Sequence, residues 1–389
     1  PLTWSYQLPS LRDGCGPGRG LGLVAGGEPQ ANPREAGWRG PSPGGPTEIR
    51  MQDLSAGDVD RRRTALSTVT YLEAIRQGIW EEMERDERVF IMGEDVGAYG
   101  GAFKVTAGML ERFGPERVLD TPISESGIVG AAIGASYMGL RPIVEMQFID
   151  FISCAFDQIT NFAAKSRYRW GAGVPIVVRG PCGGGVHGGP FHSQNPEMYF
   201  VHTPGLKVVA PATAYDAKGL IKAAIRDEDP VIYLEHKFLY RRIKEDLPPG
   251  EIVVPIGKAA VRRTGRQITV LTYGAMLYVV LEAAEGLAAE NIDLEVVDLR
   301  TLLPLDKETI LDSVRRNGKV FIVHEDTRTG GIAGELAAVI CEEVFDYLDG
   351  PVLRVTAPDT PVPYSPPLEE FFLPKVSDVM NTARKLASY

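Results

Sequence analysis

Short apolar runs rich in Val and Ile alternate with longer segments of helical period from residue 70 onward, and this alternation constrains the fold more than any motif does. A strand buried on both faces reads as a continuous apolar run, and such strands, when separated by helices, pair in parallel with helices on both sides. The expected class is therefore α/β. Tyr71, Ala74, Ile75, Gly78, Ile79 and Met83 repeat at helical spacing, and strand 88–93, a Gly- and Ala-rich helix 128–140, strand 142–147, helix 156–168 and strand 175–179 follow. Strands 206–210 and 231–235 flank helix 215–226. A polar stretch over 241–257, with Pro248-Pro249-Gly250, reads as a connector. A second α/β group then has strands 268–273, 294–299, 320–324 and 352–356, with helices 276–289, 307–315 and 332–345. Two parallel-sheet domains result, over 66–245 and 246–389. Residues 1–65 show neither period, and Gly and Pro dominate as far as Pro46, so a disordered arm is expected there, with Met51 a candidate natural start.

Composition narrows the partners. A formal net charge of −10 argues against nucleic acid, whose binding rests on phosphate neutralisation by Lys and Arg. Cys15, Cys154, Cys182 and Cys341 lie far apart with no CxxC spacing, so neither a disulfide framework nor a thiolate zinc site is indicated, and a reducing compartment is expected. No apolar run is long enough to span a membrane.

The chemistry concentrates in Thr121-Pro122-Ile123-Ser124-Glu125-Ser126-Gly127, which plants a carboxylate where a buried helix should begin. A carboxylate withdrawn from water can stay protonated near neutrality and donate to a heterocyclic nitrogen. Read alone, the string is also a plain helix start, with Ser124 or Ser126 as N-cap and Glu125 favoured in the first turn. Gly183 to Gly188 satisfies G-x-G-x-x-G after a strand, but Pro190 and Pro196 follow where the phosphate-binding helix should open, so a loop that lets backbone approach a ligand or another chain is expected instead. His187, His192 and His202 match no helical zinc spacing, and His192 sits on a loop, as an acid or base near neutral pH or as a locally bonded imidazole. Phe148, Phe151 and Phe156 form either an aromatic wall or ordinary core.

Taken together, Gly93-Glu94-Asp95-Val96-Gly97, Asp120 to Gly127, Gly139-Leu140-Arg141-Pro142, His192-Ser193-Gln194, Pro204 to Val209 and Asp229-Pro230 resemble the beta subunit of 2-oxo acid dehydrogenase decarboxylating components, a transketolase-like family. The resemblance covers about residue 66 to the C-terminus. It implies thiamine diphosphate as cofactor, a heterotetramer of two alpha and two beta chains, and acyl transfer to lipoyl on an acyltransferase partner. A first domain of the thiamine diphosphate-binding fold would hold the pyrimidine ring, and a transketolase C-terminal-like second domain would mainly assemble the complex. By the same matching, Glu125 would protonate or hydrogen-bond the ring N1′ nitrogen. Ile123 and Gln147 would line the pocket, Phe151 would stack on the ring, and His192 would serve the centre facing the alpha chain, in reductive acylation.

Ile176, Ala224, Asp227 and Asp229 match a potassium site of some relatives, with Asp229 where Asn is common. The chain has no Gly-Asp-Gly, the motif by which thiamine enzymes hold magnesium and the diphosphate, so the alpha subunit is expected to supply both. For substrate, Gln194 to Glu197 and Glu235 to Arg241 look closer to the branched-chain (2-oxoisovalerate) type than to the pyruvate type. A pyruvate or acetoin type, or a non-catalytic assembly subunit docking the acyltransferase through its acidic second domain, are the alternatives. The expected location is the cytoplasm, or the mitochondrial matrix in a eukaryote.

Overall fold

The computed structural model describes residues 67–389; the Gly/Pro-rich arm, Met51 and Cys15 lie outside them. Among the described residues, fourteen strands form three sheets. β1 (Ser67–Thr70) precedes a helix over Tyr71–Arg85 that opens with a capping box between Thr70 and Glu73, as a Thr-x-x-Glu string should. β2 (Val89–Gly93), β3 (Val118–Asp120), β4 (Arg141–Glu145), β5 (Val177–Cys182), β6 (Lys207–Val209) and β7 (Val231–His236) pair in parallel. β8 (Lys244–Leu247) lies inside the expected connector and pairs antiparallel with β1, so the stretch is pinned to the start of the fold.

The second group contributes β9 (Ala260–Arg263), β10 (Ile268–Thr272), β11 (Leu294–Asp298), β12 (Thr301–Leu303), β13 (Val320–Thr327) and β14 (Leu353–Ala357). Its five-stranded sheet runs β14-β13-β10-β11-β9, with only β9 antiparallel. β12 leaves that group and joins the first sheet, whose order is β12-β6-β7-β5-β4-β2-β3, through an antiparallel pairing of Thr301 with Val209. Too short to carry a periodic signal, it was not foreseen. The two halves thus share a sheet edge, and they share interior as well: one apolar cluster joins Ile75, Ile79 and Ile91 to Val270, Leu277 and Val280, and a second joins Val129 and Ile152 to Leu271 and Val297.

The expected helix 156–168 is corrected to two pieces, a π segment Gln158–Ala163 and a short α-helix Ser166–Trp170 ended by Gly171 at positive φ, with a 3-10 segment Ile149–Ala155 ahead of them. Helical period persists through such register changes, so the pattern alone reads as one helix. Helices over Pro366–Phe372 and Val376–Ala387 complete the fold beyond the last expected strand. Among the described residues, no helix is long and apolar enough to cross a membrane.

Candidate active site

In an open parallel sheet, loops converge outside the carboxyl ends of the strands, and a crevice opens where strand order reverses. Here the chain runs from β2 out to β3 and then returns to β4 on the other side of β2. The loops leaving those strands carry the residues singled out from sequence. Glu94 and Asp95 follow β2, Thr121 to Glu125 follow β3, Gln147, Phe148 and Phe151 follow β4, and the loop with His192 follows β5.

Glu125 is the first residue of the helix Glu125–Tyr137 and is half-buried. The plain cap reading is met only in part: Ser124 holds the N-cap position without a side-chain capping bond, and the Ser126 hydroxyl donates instead to the Cys154 carbonyl, fastening the helix start to segment Ile149–Ala155. Helix-dipole stabilisation of an acid in the first turn still applies. Full shelter of Glu125 does not occur in this chain by itself, because its neighbour Ile123 is 82% exposed and covers nothing. Further along the same helix Met138 is 83% exposed, while Ile128, Val129, Ala132 and Ile133 face the core.

Glu94 stands close enough to Glu125 for their charges to interact. Burial first, then the negative charges of Glu125 and Asp95, raise the Glu94 carboxyl above the usual carboxylate range. Asp95, held at φ +56°, accepts from the Gln147 side-chain amide at 3.4 Å. The His192 ring meets Phe148 edge-on at 4.5 Å and Phe151 edge-on at 5.7 Å, a preferred geometry for aromatic pairs. Phe156 belongs elsewhere, against Tyr199 and Phe200. The structure therefore brings Glu125 near Glu94, Gln147 onto Asp95, and Phe151 onto His192, whereas Ile123 is exposed. Glu94 and Asp95 were missed as site residues; their place directly after a buried strand was the available signal.

Three buried polar atoms near this corner have no hydrogen-bond partner: Thr121 Oγ1, Asp150 Oδ2 and Ser193 Oγ. Asp150 uses its other oxygen to accept from the Gln194 N–H at 3.0 Å. Orphaned polar atoms, a carboxyl pair and an aromatic edge suit a flat heterocycle with a basic nitrogen.

The potassium-matching residues also gather, but their oxygens already have partners. Val231 N–H donates to the Ile176 carbonyl at 3.0 Å, and Asp227 N–H to the Ala224 carbonyl at 3.3 Å. Lys207 holds the Asp227 carboxylate at 2.6 Å, Arg141 takes the Asp227 carbonyl at 3.0 Å, and Arg167 pairs with Asp229. Among the described residues, no group of three or more His, Cys, Asp or Glu could hold a metal ion.

The strings that looked branched-chain-like lie partly inside the first sheet and partly at its junction with the second half. Arg179, fully buried, lies between Glu145 and Glu235, bonding Glu235 at 2.6 Å, and the Tyr240 hydroxyl donates to Glu235 at 2.7 Å. His236 Nε2 meets Glu325 at 2.8 Å, and Lys237 donates to the Gly183 carbonyl. Burial pushes the Glu325 carboxyl up, but His236 and the Gly184 N–H outweigh it and hold it at about 2. Glu197, bonded by the Tyr273 hydroxyl, is raised to about 8 by burial and then by Asp326, which is itself raised to about 6, chiefly by burial. An interdomain cleft of about 900 Å³ opens beside them, lined by residues that include Tyr199, His202, Asp326 and Val362.

Comparison with known proteins places this geometry in a family. Residues 67–242 match the model "Transketolase, pyrimidine binding domain" and residues 257–379 match "Transketolase, C-terminal domain". The chain is 52% identical over 329 residues to the 2-oxoisovalerate dehydrogenase subunit beta of Bacillus subtilis, covering 83% of this chain and 100% of that one. It is 46% identical to the pyruvate dehydrogenase E1 component subunit beta of Rickettsia felis, over 82% of this chain and 99% of the relative. The same fold occurs in a solved structure, "Split gene transketolase, inactive beta4 tetramer", at TM-score 0.69 and 24% identity, covering 82% of this chain and 98% of that chain. With the site at the carboxyl ends of the first sheet and both halves matched in order, the chain belongs to the family of 2-oxo acid dehydrogenase beta subunits.

Proposed function

We propose that this chain is the beta half of a branched-chain 2-oxo acid dehydrogenase, which decarboxylates 2-oxoisovalerate-type acids and passes the acyl group to lipoyl on an acyltransferase. The observation that carries the reading is the open corner itself: Glu94 and Glu125 beside a Phe148–Phe151–His192 wall, on a chain without any Gly-Asp-Gly. Half a site of this kind calls for an alpha chain, in a heterotetramer of two alpha and two beta chains, with magnesium and the diphosphate held on the alpha side. Thiamine diphosphate, when bound, supplies the nucleophilic carbon and the electron sink that decarboxylation needs.

This chain's own residues do the positioning and the proton work. Glu125 holds a proton at the pyrimidine N1′, Gln147 and Ile123 border the ring, and Phe151 faces it. Docking of the alpha chain over Ile123 would dry the corner and strengthen the Glu125 interaction. His192 exchanges a proton through a ring nitrogen during acyl transfer. Potassium at the Ile176, Ala224, Asp227 and Asp229 group is part of the same proposal, and it requires Lys207 and Arg167 to move aside. Relatives are bacterial or, in Oryza sativa, named as mitochondrial, which supports cytoplasm or matrix as the location.

The decisive experiment reconstitutes the chain with its alpha partner and follows decarboxylation with an artificial electron acceptor. Glu125→Gln is expected to lose roughly 10²- to 10⁴-fold in kcat, the usual range for a removed general acid; near wild-type turnover would sink the assignment. Comparing kcat/KM for 2-oxoisovalerate and pyruvate decides the substrate. The alternative is a pyruvate type, supported by 46% identity to a pyruvate dehydrogenase subunit, and a preference for pyruvate would establish it.

A further inference from the structure

The loop between β5 and Gln194 is held by the half of the chain that does not carry the site. Its neck closes where Gly183 N–H donates to the Gln194 carbonyl at 3.1 Å. Within it, Gly183, Gly185, His187 and Gly189 all have positive φ, which turns successive backbone N–H groups to one side. Those groups point at two carboxylates from the second half. Gly184 N–H donates to Glu325 Oε1, Gly185 N–H to Glu369 Oε1 at 2.9 Å, and His187 N–H to Glu369 Oε2 at 3.1 Å. The His187 ring adds a contact through Nδ1, 2.6 Å from Glu369 Oε2. Glu325 also accepts from the Asn195 amide at 3.2 Å, one residue past the neck.

Both carboxylates are nearly inaccessible, with 6% of the Glu325 and 1% of the Glu369 side chain exposed. Charge-assisted bonds of this kind are strong because little water competes for either partner. The fit leaves no slack. A Cβ on Gly183 would lie 2.0 Å from His236 Nε2, and one on Gly189 would lie 2.2 Å from the Tyr364 ring. The residue delivered by this loop is His192, whose ring meets both Phe148 and Phe151 edge-on at the candidate active site.

We propose that Glu325 and Glu369 are positioning residues for the His192 loop, so that the second half of the chain builds the active site as well as the assembly. The proposal rests on the reading of His192 as the group that serves acyl transfer. A merely scaffolding second domain would need only apolar contact with the sheet. Here its carboxylates instead fix the backbone at three loop positions and so set where the imidazole stands.

The test uses the complex reconstituted with the alpha partner, carrying Glu369→Gln or Glu325→Gln. At Glu369 a glutamine keeps one acceptor oxygen and turns an NH₂ toward the other backbone N–H, so one of the two clamp bonds is lost and becomes a repulsive donor–donor contact, and at Glu325 the change removes the negative charge that the Gly184 N–H and His236 face. Peptide-level hydrogen exchange over 183–194 is expected to speed at least tenfold, while exchange within β5 stays at its wild-type rate. Acylation of a free lipoyl domain is expected to fall at least tenfold, with decarboxylation to an artificial acceptor retained. Unchanged loop exchange in Glu369→Gln, whose helix lies away from the shared core, would overturn the proposal even if Glu325→Gln fails to fold. A loosened loop with full acyl transfer would also overturn it, provided that His192→Ala lowers transfer. If His192→Ala leaves transfer intact, the reading of His192 fails instead, and the exchange rates still decide whether the second half holds the loop.

Discussion

The corner at Glu125 and the buried charges around Arg179 and Glu325 are built from the same residue types to opposite ends. The buried charges have internal partners: Arg179 lies between Glu145 and Glu235 within the first sheet, and Glu325 collects His236, Asn195 and Gly184 across the junction. At the corner Glu94 and Glu125 face one another with no cation between them, and an exposed isoleucine stands beside buried polar atoms that bond to nothing. A buried charge without a partner is costly, so paired carboxylates mark structure. Unpaired ones at the mouth of a sheet mark a place kept for something else.

That contrast can be broken most forcefully at Arg179. Arg179→Met leaves Glu145 and Glu235 buried with no cation, and removal of one partner from a buried pair costs about 3–5 kcal/mol, to be read as a lowered urea midpoint. An unchanged midpoint would mean that the junction charges are not structural. Next comes pH. Glu197 is raised in the folded chain to about 8, so folded Glu197 keeps a proton that the unfolded chain releases above the ordinary carboxylate range. Its contribution is fully present at low pH and is lost as pH rises toward 8, at up to about 1.4 kcal/mol per pH unit. Thermal melts between pH 6.5 and 8 should therefore decline for the wild type and flatten for Glu197→Gln, which keeps an acceptor for the Tyr273 hydroxyl; parallel curves would refute this. His324, lowered to about 4 chiefly by burial, acts oppositely and below this window, where falling pH removes stability. The smallest effect belongs to the corner. Ile123→Ala and Glu125→Gln should each leave the midpoint of the isolated chain within about 0.5 kcal/mol, as surface changes do. A larger loss would show that the corner is already part of the chain's own packing.

Much of the architecture was legible because burial on two faces leaves a local signature. β2, β4, β5, β7, β10, β11 and β13 all fall where apolar runs predict them. β12 and β8 did not show, since each is short and is defined by its distant partner, not by its own pattern. At the candidate site, Glu125 and His192 carried motif signals, whereas Glu94 and Asp95, though directly after a buried strand, drew attention only once the fold set them beside Glu125 and Gln147. The Gly183 to Gly188 string announced that some other group must come close to its backbone; the sequence did not identify that group.

The order of residues by itself determined the α/β class, the capping box that opens the Tyr71–Arg85 helix and the lack of a Gly-Asp-Gly string, because each depends on side chains within a turn or two of one another. Tertiary structure alone decided which carboxylates became partnered and which stayed open. Glu325 and Glu369 reach the His192 loop across 141 and 184 residues of chain, and pairing at that separation is set by how two sheets pack, a property no local window contains.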